Sequence, residues 1–232
     1  MLAILLAASI ASPAPQASSI HILRRMVFTA HINATGATVS RYRGANAGES
    51  GVPGTIDSDV DDKGNTTIYV NVVDAPQDGS LIADVNEPKQ QPLQMGISAD
   101  GEVITITPNR EPTIAELALM RLLARNFVAG HDDTPGNSWT LAYGPDKVGQ
   151  LHVTVQKTDD AHVVLGIKGR AFETNPVTLR QQLDGTVTYD PAHTIPVSAD
   201  VTESVQIQNG STTTTTQYSA QFSLQADSMG GS

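Results

Sequence analysis

Apolar and polar residues alternate with a period of two along most of the chain, the pattern of strands that bury one face. From Ile20 the even positions read Ile20, Ile22, Arg24, Met26, Phe28, Ala30 and Ile32, against His21, Arg25, Thr29 and His31. This predicts one long strand whose apolar face is interrupted by Arg24. Gly44 to Gly54 reads as a loop rich in Gly, Ala and Ser. Ile56, Ser58 and Val60 then alternate with Asp57, Asp59 and Asp61, and a turn is expected at Lys63-Gly64-Asn65. A loop of that length pairs Val60 with Ile68 and Ile56 with Val72, apolar against apolar.

Asp78-Gly79 and Asp100-Gly101 are further hairpin signals. Read as a two-residue loop, Asp100-Gly101 sets Ile97 opposite Ile104 and Met95 opposite Ile106. Trp139, Leu141 and Tyr143 share a face. Leu151, Val153 and Val155 match Val163, Leu165 and Ile167 across a turn near Asp159-Asp160 if the loop has odd length. Asn209-Gly210 predicts the closing hairpin, with Ile195 opposite Leu224, Val197 opposite Phe222, Ala199 opposite Ala220 and Val201 opposite Tyr218. Its polar tip, from Thr202 to Gln217, is expected to project past the core, with the β-favouring Thr212–Thr216 run as strand.

The period changes once. Thr113-Ile114-Ala115-Glu116 has the form of a capping box. Ile114, Leu117, Met120, Leu123 and Phe127 follow at helical spacing, Arg121 and Arg125 share a polar flank, and Gly130 is placed to end the helix. The predicted class is therefore mainly β (α+β): a curved antiparallel sheet or half-barrel meander of about ten strands covered by one amphipathic helix. No linker divides it, so residues 18–232 read as one domain.

Residues 1–17 read differently. Leu2 to Ala11 is an apolar run too short to span a membrane, and Ser-Pro-Ala-Pro-Gln-Ala follows it, as after a signal peptide. Cleavage after Ala11 or Ala17 fits, although no Lys or Arg precedes the run. The expectation is an exported protein, periplasmic or extracellular, with no transmembrane span. The 232 residues are long enough to bury a core, and the lack of cysteine excludes a disulfide framework, a Cys-ligated zinc site and a thiol nucleophile. A net charge of -10 argues against a nucleic-acid partner and disfavours electrostatic docking to anionic lipid.

Few residues suggest chemistry. The acidic run Asp57 to Asn65 fails an EF-hand count at its sixth and twelfth positions, Asp62 and Ile68, and reads as the charged face of a strand. His131-Asp132-Asp133 could serve a hydrolase or a metal site, with His131 as general base or ligand, but adjacent side chains seldom converge. No nucleophile elbow or phosphate loop is present. No catalytic residue, metal ligand or cofactor is assigned, and the protein reads as non-enzymatic. Arg24 has two readings, a rim arginine that snorkels or a charge held toward a cavity for an anionic head group.

Val72-Val73-Asp74 through Gln77-Asp78-Gly79-Ser80-Leu81, the Ile82–Glu87 strand and Ile195-Pro196-Val197-Ser198 resemble an uncharacterised family of exported bacterial β-rich proteins. These motifs are turns and strand faces, so the resemblance transfers no site residue. In architecture the chain is similar to the half-barrel carriers of lipoproteins and lipids in the bacterial envelope, which place helices over an apolar mouth. That similarity implies a lipid or other apolar ligand in the concave face of the sheet. The candidate ligand-binding residues are Arg24, Met26, Phe28, Leu117, Met120, Phe127 and Phe222. The alternative is a structural or protein-interaction module of the envelope, with a filled core and an envelope protein as partner.

Overall fold

The computed structural model describes residues 22–40, 55–106, 110–144, 148–174, 177–210 and 212–229. The leader-like segment and the 44–54 loop lie outside them. The strands are β1 (Arg24–Ser40), β2 (Thr55–Asp74), β3 (Leu81–Asn86), β4 (Leu93–Ile97), β5 (Val103–Thr105), β6 (Ser138–Tyr143), β7 (Gly149–Thr158), β8 (Val163–Glu173), β9 (Thr178–Asp190), β10 (Ile195–Asn209) and β11 (Thr212–Met229). They form one antiparallel sheet of 11 strands in the order β5-β4-β3-β2-β1-β11-β10-β9-β8-β7-β6. The chain walks outward from β1 to β5 and crosses the concave face as helix α1 (Ile114–Leu122). It then returns from β6 to β11, which pairs with β1 at the centre. The edges β5 and β6 do not pair with each other, so the sheet is an open, curved half-barrel covered by one helix.

The alternation produces this shape. Met26, Phe28, Ala30, Ile32 and Ala34 of β1 are buried, while Arg25, Thr29, His31, Asn33 and Thr35 are exposed. Leu151, Val153 and Val155 of β7 face inward, as do Val163, Leu165 and Ile167 of β8, and all join one core with Leu119, Met120 and Leu122 of α1. Burying a side chain of this size stabilises the fold by about 1.5–3 kcal/mol, which keeps each strand in its register.

Several registers differ from the sequence-based expectation. Residues 63–65 are no turn: β2 runs unbroken and pairs with β1 from Arg24↔Val72 to Ser40↔Thr55, so the expected Val60–Ile68 hairpin does not form. A partner as long as β1 satisfies the backbone of a Gly-containing stretch that would otherwise bend. At the β4–β5 turn Ser98 pairs with Glu102 and Gly101 takes φ +95°, a three-residue loop that the left-handed glycine makes possible. Ile97 therefore faces Val103 rather than Ile104, and Ile106 is exposed. Between β7 and β8 the connection has four residues, 159–162, and a bulge between Val155 and Lys157 restores the parity that an odd loop was expected to supply.

The closing hairpin does not turn at Asn209-Gly210, because Asn209 pairs with Thr212 as part of the ladder. That slides the register by two residues and preserves the buried face: Ala199 meets Phe222, Val201 meets Ala220 and Glu203 meets Tyr218. Nor is the tip a free projection. Thr212 to Thr216 pair with Ser40 to Gly36 on one side, and β10 pairs with β9 as far as Gln208↔Thr178 on the other.

Helix α1 begins as expected. Thr113 Oγ1 accepts from Glu116 N at 3.1 Å, and Glu116 Oε2 accepts from Thr113 N at 3.0 Å. Arg110 clamps the fully buried Glu116 carboxylate with contacts of 2.7 and 2.5 Å, and Thr113 donates to Glu87 at 2.5 Å. The helix ends at Leu122, well before Gly130, and a short 3-10 turn follows at Arg125–Phe127. Its stop is set by tertiary contacts: the Tyr189 hydroxyl donates to Leu122 O at 2.5 Å, and Asn126 bonds Ala99 O and Asp100 in the β4–β5 turn.

Candidate functional site

The inner face of β10 carries Glu203 at an odd position, in line with the buried Ala199 and Val201. Strand pairing puts Tyr218 of β11 opposite it. Tyr143 comes from β6 and Gln181 from β9, while α1 supplies Arg121 from above. Glu203 is 3% exposed and accepts from all four. Arg121 Nη1 bonds both carboxylate oxygens at 3.0 and 2.9 Å, and the Tyr143 hydroxyl donates at 2.6 Å. The Tyr218 hydroxyl and the Gln181 amide donate as well. Burial pushes the Glu203 carboxyl up, but the Arg121 charge and these donors outweigh it and hold it below the usual carboxylate range. Burial and the carboxylate's charge raise both tyrosine hydroxyls, which therefore stay protonated as donors.

This cluster forms the polar wall of a cavity of about 320 Å³ between α1 and the sheet, inside the ~300–1,000 Å³ typical of small-molecule sites. Leu117, Leu122, Phe127, Leu151, Leu183 and Val201 supply the apolar lining. Arg121, Tyr143 and Tyr218 face it directly, and the Arg121 side chain keeps 35% of its surface exposed. The space thus has an oily side and one polar corner that presents a cation and two hydroxyls.

Of the residues chosen from sequence, Leu117 and Phe127 line this cavity. Phe127 also packs against Tyr189, with ring centroids 6.0 Å apart. Phe28, Met120 and Phe222 are at most 3% exposed and serve the core between sheet and helix. Arg24 and Met26 sit elsewhere, at a second hollow of about 550 Å³ shared with Pro76, Leu123 and Ile195. Arg24 lies at the sheet rim, its fork closed on Asp227 at 2.7 and 2.6 Å. Its charge is balanced there, and the hydrogen bond to Arg24 holds the Asp227 carboxyl low.

In the sequence Arg121 shows only as a polar flank of the helix, and Glu203 as part of a polar tip. The available signal was parity, because position 203 falls on the apolar face of its strand. His131 stacks on Trp139, with centroids 4.2 Å apart and planes within 6°, and Asp132 is held by Thr134. Among the described residues no group of three or more His, Asp or Glu is gathered for a metal, and no helix is long and apolar enough to cross a membrane.

The sequence matches no protein-family model and no curated protein. A solved structure bearing the words "lipid-protein interactions in lipovitellin" is similar in shape over 92% of this chain, at 9% identity and a TM-score of 0.44. The similarity spans about a quarter of that chain, 26%. At that identity no side chain of the cavity is carried across.

Proposed function

We propose that this protein is a non-enzymatic binder of a lipid or other small amphiphile, held in the cavity beneath α1 with its polar end at Arg121, Tyr143 and Tyr218. The observation that supports this most directly is the cavity itself, apolar on most sides with a built polar corner. Binding rather than catalysis is favoured because the Glu203 carboxylate already accepts from four side chains and is poorly placed to take a proton from a substrate. Export to the cell envelope, inferred from the Leu2–Ala11 run, belongs to this reading and suits a carrier. The competing reading, a scaffold with a filled core, draws on the full burial of Met26, Phe28, Met120 and Phe222.

The test is native mass spectrometry of the full chain with dodecanoate and with lysophosphatidylglycerol. The expected result is one retained equivalent of at least one probe, lost in Leu117→Trp, which fills the cavity. A wild-type protein that stays unliganded in saturating amounts of both overturns the proposal in favour of the scaffold.

A further inference from the structure

The outer face of the sheet carries a second feature, directly behind the cavity. Strands β7, β8 and β9 place Leu151, Ala171 and Leu183 inward, and their alternate positions point Gln150, His152, Lys168, Arg170, Arg180 and Gln182 outward. In register, His152 lies opposite Lys168, Gln150 opposite Arg170 and Phe172 opposite Arg180. These side chains line a broad groove of about 680 Å³.

Two properties distinguish this groove from an ordinary solvated face. Lys168, Arg170 and Arg180 form no ion pair among the described residues, although acidic residues outnumber basic ones 24 to 14 in the chain. Asp184, opposite Lys168, is the acid placed closest in register, and it does not reach ion-pair distance. Beside the cations, Phe172 is 57% exposed and Val148 is 39% exposed. Arg180 lies over the Phe172 ring at 5.6 Å, which keeps the guanidinium and the ring at one level.

We propose that this face docks on an anionic lipid bilayer, with Lys168, Arg170 and Arg180 at the head groups and Phe172 at the interface. Basic residues attract anionic head groups within a Debye length, about 8 Å at physiological salt. At that range three cations face one registered acid, Asp184, so the groove keeps a positive local charge although the chain as a whole is negative. An exposed Phe beside basic residues buries its ring at the boundary between head groups and acyl chains. Placement agrees with the binding reading: Gly144 lines the cavity and Val148 lines the groove, so both belong to the β6–β7 corner. Docking there would bring a bound amphiphile close to the bilayer it enters or leaves. The two proposals fail separately, since docking is measured with the cavity empty or filled.

The experiment is co-sedimentation of the full chain with phosphatidylcholine vesicles and with vesicles of phosphatidylcholine and phosphatidylglycerol. Binding is expected to the anionic vesicles alone and to fall with added salt. Lys168→Gln, Arg170→Gln and Arg180→Gln together should weaken it roughly hundredfold, about fivefold per cation. These positions are exposed, and an unchanged Tm shows that the triple variant folds. Phe172→Ser should weaken binding while leaving the salt dependence in place. Equal binding to neutral vesicles, no binding to anionic ones, or a triple variant that binds as wild type would each overturn the proposal.

Discussion

Glu203 and Tyr218 stand directly opposite each other across β10 and β11, and the tyrosine hydroxyl donates to the buried carboxylate. Arg121 reaches the same carboxylate from the helix. One acidic side chain therefore ties the lid to the centre of the sheet, and lid and cavity wall depend on it together.

Glu203→Gln should destabilise the fold by about 3 kcal/mol, the low end for a broken buried ion pair because Arg121 is only partly buried. Chemical denaturation of the two proteins measures this directly. Arg121→Gln should cost at least as much, since it strands a charge on the more deeply buried partner.

The same pair sets a pH dependence. The folded Glu203 carboxyl lies below its ordinary value of 4.5, so its contribution is complete above that pH and is lost as pH falls through the folded value. Urea midpoints of wild type and Glu203→Gln should draw together as the pH is lowered through the acid window below about 4.5. A constant gap across that window would show that the charge on Glu203 contributes nothing.

Tyr143, Tyr189 and Tyr218 are all raised above 10, chiefly by burial. An ultraviolet titration of the native protein should leave these three of its five tyrosines protonated past pH 10. Unfolding in denaturant should release them to titrate together. Their stabilising effect is complete below pH 10 and is lost as the pH rises further.

Gly185 predicts a packing limit. A Cβ there would lie 2.5 Å from Asp200 O and 2.9 Å from Val201 Cα, both backbone atoms with no room to give. Gly185→Ala should cost about 1–3 kcal/mol as overpacking, read as a lowered Tm.

Thr113→Ala should cost about 1 kcal/mol by leaving Glu116 N uncapped. Because α1 is the roof of the cavity, faster release of bound dodecanoate is also expected in stopped-flow exchange.

Strand faces were legible wherever a side chain's neighbours two residues away were also apolar, as in β7 and β8. Thr113 and Glu116 marked the helix start because both halves of the box are local. Registers were harder, because Gly210 can occupy either position of a two-residue turn and a shift of two residues buries the same face. Only tertiary partners settle that choice. The site was hidden for a related reason: Glu203 looks like surface until Arg121, Tyr143 and Gln181 arrive from three other elements. The continuity of β2 through Lys63-Gly64-Asn65 was likewise invisible without the matching length of β1.

The pairing of Arg24 with Met229 joins almost the first described residue to the last. β11 stitches the two halves of the sheet together, so neither half gains its central neighbour until β11 has been made. Folding must wait for that closure, and contacts this distant in sequence make it slow. A chain cut short before β11 would leave the inner edges of β1 and β10 unpaired. Such a species is open to pairing with another molecule, and it is the form a cell would have to guard against aggregation.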